Sequence, residues 1–234
     1  MSRSPFFFFP FVLVAAVAFT LLLLFVFALI QVGMITVAFQ KLGLTPWQAF
    51  FLLVATLLGS SVNLPVHTRT VPLQRMEFSA PSAWFRYQIP RVTFPGREGR
   101  QIIALNVGGC LIPCILSLYF LQQIGINWGL ILTLAVVVTA CFKLARPIPN
   151  VGIGIPFLVP PLITVLCVWL LAPNGQEPHV AFVAGSLGTL IGADLLHLLN
   201  TRNQALLSAP VLSIGGAGTF DGIFLTGIVA VLLA

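Results

Sequence analysis

Two aspartates, Asp194 and Asp221, are the residues of this chain whose type and spacing could do chemistry. Only five of the 234 residues are acidic, and these two interrupt apolar runs long enough to cross a bilayer. A carboxylate at the centre of a membrane costs roughly 2.5–3.5 kcal/mol on insertion scales, and such residues mark functional sites or ion paths. These two fall on consecutive predicted helices. If they meet, both cannot stay ionised, and the pair shares a proton. That is what aspartic proteolysis requires: one carboxyl takes a proton from water while the other donates to the peptide carbonyl. The plainer alternative is that each aspartate only accepts hydrogen bonds across a helix bundle.

The neighbours of the two aspartates define candidate supporting residues. Before Asp194, the small residues Ala184, Gly188 and Gly192 recur every fourth position, a stripe that lets another helix approach closely. Asp194 itself shares a different face with His197 and Thr201. Asp221 follows the run Gly215-Gly216-Ala217-Gly218-Thr219-Phe220, so Gly216 and Gly218 belong to its site. Gly218, Gly222 and Thr226 continue a second small-residue stripe. Three other polar stretches interrupt the apolar runs: Gly59–Pro65 with Asn63, Asn106–Gly109, and Arg146–Pro156 with Asn150. The last, rich in proline and glycine, cannot be regular helix and reads as an unwound or re-entrant segment lining the same cavity. Asp194, His197 and Asp221 could in principle share an ion, but they lack a fixed ligand geometry, and no metal is assigned. No HExxH, GxSxG, P-loop or dinucleotide fingerprint occurs, so no cofactor is expected.

Holding these residues falls to membrane helices. Charged residues are 7% of the chain and hydrophobic ones 59%, against about 25% charged in soluble domains. The expected fold is all-α, a single domain over residues 1–234 built as a polytopic bundle of about seven spans. These lie at roughly 11–38, 46–64, 101–123, 127–144, 156–172, 179–199 and 212–234. Thr45, Pro46 and Gln48 give the second span a capping-box start. Pro113, Pro160 and Pro161 interrupt the third and fifth. With the N-terminus in the cytoplasm, ten of the eleven basic residues fall on the inside and only Lys41 outside. That asymmetry fixes the expected orientation, N-terminus cytoplasmic and C-terminus outside. In this arrangement Asp194 and Asp221 sit about 9 Å and 14 Å from the cytoplasmic ends of their helices, at 1.5 Å per residue.

Residues 66–100 form the one sizeable extramembrane segment, with six arginines and five aromatics between His67 and Arg100. It reads as a basic cytoplasmic interfacial loop held by anionic lipid headgroups. Tethering to the membrane at both ends argues against nucleic acid as a partner. The apolar run from Phe6 reads as a retained signal-anchor helix. Cys110, Cys114, Cys141 and Cys167 read as packing residues.

Asn63-Leu64-Pro65, the Arg146-Pro147-x-Pro149 run, Gly188–Leu195 and Gly215–Phe224 resemble a bacterial and archaeal family of polytopic membrane proteins of unknown function. That likeness implies an integral protein of a bacterial or archaeal cytoplasmic membrane, or of a thylakoid, and no activity. The two aspartates on adjacent helices also resemble the presenilin and signal peptide peptidase class of intramembrane aspartyl proteases. By that resemblance Asp194 and Asp221 would be the catalytic pair. The chain departs from it in having Ala193 before Asp194 and two residues too many between Gly218 and Asp221. Three functions therefore stand open: an intramembrane aspartyl protease acting on membrane-protein substrates, a proton-coupled transporter or channel, and a non-catalytic subunit or assembly factor of a membrane complex.

Overall fold

Seven helices, one near each expected span, make up most of the described chain. A computed structural model describes residues 9–72, 98–148, 152–200, 211–216 and 222–234. The helices are α1 (Phe9–Lys41), α2 (Pro46–Gly59), α3 (Val107–Ile124), α4 (Trp128–Leu144), α5 (Val159–Leu171), α6 (Glu177–Leu199) and α7 (Gly222–Leu233). Among the described residues, three stretches are long and apolar enough to cross a membrane: Leu13–Lys41 of α1, and all of α3 and α6. The other four helices have 12 to 17 residues, about 18–26 Å at 1.5 Å per residue against a hydrocarbon core of about 30 Å.

The fold is not all-α. Strands β1 (Asn63–Pro72), β2 (Glu98–Asn106) and β5 (Val211–Ile214) form a sheet in the order β1-β2-β5. Strands β3 (Arg146–Ile148) and β4 (Gly152–Gly154) form a separate antiparallel ribbon. Part of the second, third and seventh expected spans is therefore extended chain. The basic loop expected over 66–100 has paired strands as its two flanks, antiparallel from Asn63↔Asn106 to Pro72↔Glu98. Its middle, 73–97, lies outside the described residues. Pro65 and Pro72 explain why β1 is the edge strand: a proline has no N–H to give to a central ladder. The register shifts between Pro65 and His67, a bulge at that edge.

Prolines 160 and 161 do not break α5; they fall in its first turn, where an N–H would have no helical partner. Thr45 and Gln48 form the expected capping box. Helix α6 is the hub. It packs on α3, α4, α5 and α7, and Val180–Ser186 are all buried. Phe120 and Phe182 meet edge to face at 5.4 Å, with Val168, Phe224 and Ile228 in the same cluster. The stripe on α6 works as expected: a Cβ at Gly188 would stand 2.6 Å from Val137 Cγ1, and one at Gly192 2.5 Å from Val138 O. On α7 the close approach is instead at Gly227, against Ser186, while Gly222 faces open space. Among the described side chains, helix α1 joins the core through its last turns, where Ala38 and Phe39 are buried, with Leu42 just beyond; residues 13–27 are exposed throughout.

Candidate functional site

Strands β1 to β4 gather at one end of the helices because each leads from or into a helix terminus there, and β5 joins them by pairing with β2. β1 follows α2, β2 runs into α3, β3 follows α4, and β4 leads to α5. The register of the central strand then decides which residues meet. β2 pairs antiparallel with β1 and parallel with β5, with Asn63 opposite Asn106 and Leu105 opposite Ile214. The chains leaving β2 and β5 therefore run side by side. One continues as Val107–Cys110, the other as Gly215–Gly216.

Asn106 ties three segments together. Its Nδ2 donates to Ser60 O at 2.7 Å and to Asn63 Oδ1 at 3.1 Å, and its Oδ1 accepts from Gly109 N at 2.7 Å. Ser213 Oγ donates to Asn63 Oδ1 at 2.5 Å. Glycines make the approach feasible. Gly108 lies against Thr56 O and Ser60 N, and a Cβ at Gly215 would stand 2.6 Å from Cys110 N and Gly109 C. Gly215 and Gly216 both have positive φ, 85° and 87°, a conformation that favours glycine. The turn they form aims the Gly215 N–H at α6, where it donates to Asp194 Oδ2 at 2.8 Å.

Asp194 stands in a widened turn of its helix. Residues Leu190–Leu195 are π-helical, and the Leu196 N–H reaches back to Ile191 O. α3 opens with a similar turn, Val107–Leu111, where the Ile112 N–H bonds Val107 O. Such turns insert about one extra residue and recur at functional sites. The carboxylate is half-buried. His197 is 4% exposed. Its ring packs on Phe142 at 4.8 Å, and Nδ1 lies 3.3 Å from Gly192 O. These contacts are to α4 and to the backbone of its own helix.

Within the Arg146–Pro156 segment, Arg146–Ile148 and Gly152–Gly154 pair as the two-stranded ribbon, and 149–151 lie outside the described residues. β4 contacts the widened turn of α6, and Ile153 packs on the clusters holding Ala193 and Leu212. Arg146, paired with Gly154, is exposed. Asn150, Gly218 and Asp221 lie outside the described residues. Ile223, two residues after Asp221, packs with Cys110 and Leu190. Among the described residues no group of three His, Cys, Asp or Glu side chains could hold a metal ion. Sequence reasoning marked the three polar stretches and the glycine run, but it gave Gly215 no role and missed Ser213; the two lie at the join of a short strand and a paired-glycine turn.

No curated protein and no solved structure matches the chain. A family model described as protein of unknown function, DUF1614, matches residues 57–233. That span covers every described strand, the two widened turns and both aspartates, and the chain belongs to this family.

Proposed function

We propose that the chain is a multi-pass protein of a bacterial or archaeal cytoplasmic membrane, with about seven spans, its N-terminus inside and its C-terminus outside. In this reading Asp194 and Asp221 form an intramembrane pair that hydrolyses peptide bonds of membrane-protein substrates. The observation that carries it is the 2.8 Å bond from Gly215 N to Asp194 Oδ2. It fastens the glycine-rich segment that leads to Asp221 onto the helix bearing Asp194. The packing of Ile223 on Leu190 holds the start of α7 beside the same turn. The strands lie at the end where Arg69, Lys143 and Arg146 collect, which suits a cytoplasmic face with anionic headgroups over β1 and β2.

One carboxyl takes a proton from water as the water oxygen bonds to the peptide carbon. The other protonates the carbonyl oxygen. The tetrahedral carbon then collapses, the C–N bond breaks, and the departing amine takes up a proton. Purified protein in lipid vesicles with a library of transmembrane reporter peptides tests this. Cleavage should occur with the wild type and vanish with Asp194→Asn and with Asp221→Asn. Fragments that persist in either variant would remove the pair.

A proton-coupled carrier or channel is the second reading. The widened turns of α3 and α6 and the β3–β4 ribbon favour it, because interrupted helices around an acidic residue also build ion pathways. Proton uptake into the same vesicles under an imposed potential distinguishes it from proteolysis.

A further inference from the structure

The outer faces of the bundle have two different borders. At the end away from the strands stand three tryptophans on three helices: Trp47, second residue of α2, Trp128, first residue of α4, and Trp169, two residues before the end of α5. They are 72%, 78% and 67% exposed, although tryptophan is a residue whose large ring is usually well covered. Among the described residues the charged side chains at this end are Lys41 and Glu177, one of each sign. Amides make up much of the remaining polar border, with Gln48, Asn127 and Gln176 beside the helix termini. At the strand end the border is cationic: Lys143 in the last turn of α4 and Arg146 in β3 are both exposed.

Between the borders the exposed positions are apolar. On α4 they are Ile131, Leu132, Ala135, Val136, Thr139 and Phe142, and the Thr139 hydroxyl is closed onto Ala135 O at 2.7 Å. On α5 they are Leu162 and Leu166. An apolar band with amphipathic rings at one rim and cations at the other is the pattern of a surface that faces lipid, with tryptophan at the headgroup level and cations on the cytoplasmic side. The band is narrow. Trp128 and Lys143 are fifteen residues apart on α4, about 22 Å at 1.5 Å per residue, against about 30 Å of hydrocarbon. A lysine stem reaches beyond its Cα, but the sheet begins at that level: β1 starts four residues after α2, and β2 runs straight into α3. Among the described residues no strand pairs the outer edge of β1, and open backbone groups on a strand edge are not tolerated in hydrocarbon. The layer therefore ends where these helices end. α1 is longer, but a long apolar helix fits a thin layer by tilting.

We propose that Trp47, Trp128 and Trp169 seat the far end of the bundle in the outer headgroup layer, and that the short lipid-facing helices draw the bilayer in until its cytoplasmic boundary lies at Lys143. One consequence concerns Asp194. α4 runs parallel to α6, with Val137 against Gly188 and Cys141 against Gly192; two residues on, Lys143 and Asp194 stand at one level. The carboxylate is then at the cytoplasmic edge of the hydrocarbon, within reach of water, and not deep in the layer. The inference rests on the multi-pass reading with the strands at the cytoplasmic face, and needs neither peptide cleavage nor proton transport.

The test reads tryptophan fluorescence of the full chain in phosphatidylcholine vesicles brominated either high on the acyl chain or near its end. Two single-tryptophan chains are compared, with every other tryptophan replaced by phenylalanine: one keeps Trp128, the other carries Lys143→Trp instead. Both should be quenched more strongly by the shallow bromines, because the two positions lie at opposite boundaries of the layer. The wild type, which needs no substitution and decides the matter if a variant does not fold, should bind dimyristoleoyl over dierucoyl phosphatidylcholine by about twofold or more in the same quenching assay, since each ångström of mismatch has a cost. Deep quenching of either single-tryptophan chain, or a wild-type preference for the longer lipid, would overturn the narrow layer and leave the multi-pass reading standing. No quenching of any chain by either bromine position would end the multi-pass reading and this inference with it.

Discussion

The two ends of this helix bundle solve the same problem in different ways. At the end away from Asp194, polar side chains close helix termini locally. Thr45 and Gln48 cap α2 reciprocally. Asn127 accepts from Leu130 N at 2.8 Å and reaches Gln176 across the loops. Lys41 Nζ lies 3.1 Å from Leu232 O at the carbonyl end of α7. At the other end, the polar side chains reach into segments distant in sequence. Asn106 holds Ser60, Asn63 and Gly109; Asp194 holds Gly215. The helices there are widened or replaced by strands. One end is scaffold, and changes to it should stay local. The other couples five chain segments around a carboxylate, and changes to it should spread.

The largest effect is expected where a side chain would collide with backbone on the coupled end. Gly215→Ala would have to hold an alanine at φ 85° with its Cβ against Cys110 N. Gly108→Ala would drive a methyl into Thr56 O and Ser60 N. Strained positive φ alone costs of order 1–3 kcal/mol, and displacement of packed backbone brings the expected loss to about 3 kcal/mol or more. Thermal unfolding in detergent should show both variants as the least stable of the set. A Gly215→Ala protein that melts like the wild type would dissolve the contrast between the ends.

Asp194 sharpens the comparison because shape and chemistry can be separated. Asp194→Asn retains an oxygen for the Gly215 amide, whereas Asp194→Ala leaves that N–H without its acceptor. An unpaired buried donor costs about 1–3 kcal/mol. Alanine should therefore destabilise and asparagine much less, while both abolish proton chemistry. Equal stability of the two variants would show that the Gly215 bond does not hold the turn. Asn106→Ala, which removes three hydrogen bonds at a site 1% exposed, should cost about 2 kcal/mol by the same reasoning.

Much of the helical framework was legible from hydropathy, because apolar length and the capping box at Thr45 and Gln48 are local signals. The strands were not. Residues 101–106 and 212–214 are apolar enough to read as the ends of spans, and only pairing, of the first with β1 and of the second with β2, makes them extended. β1 carried a weak signal: β-branched residues alternate through Val66, Thr68 and Thr70. It was absorbed into a loop because Pro65 and Pro72 look like breakers until the strand is known to be an edge. The widened turns have no sequence signature beyond glycine. The site was half visible. Asp194 and the three polar stretches stood out as expensive residues in apolar runs, but that Asn63 stands opposite Asn106 and that Ser213 comes within hydrogen-bond reach of Asn63 follows from strand pairing, which hydropathy does not encode.

The smallest effects belong to the capped end. Asn127→Ala removes the acceptor for Leu130 N and the link to Gln176, and loss of an N-cap costs about 1 kcal/mol. Lys41→Gln removes only an exposed cation from the carbonyl end of α7, worth a few tenths of a kcal/mol in such settings, about 0.3–1. Because among the described residues these two bond only Leu130, Gln176 and the last turns of α7, each variant should lower the melting temperature slightly and leave cleavage and proton uptake at wild-type levels. A double variant, Asn127→Ala with Asn106→Ala, should show additive losses, since the two sites share no partner. A coupling larger than about 0.5 kcal/mol would mean that the far end transmits strain through α3 and α4 to the carboxylate, and the division into a scaffold end and a coupled end would have to be given up.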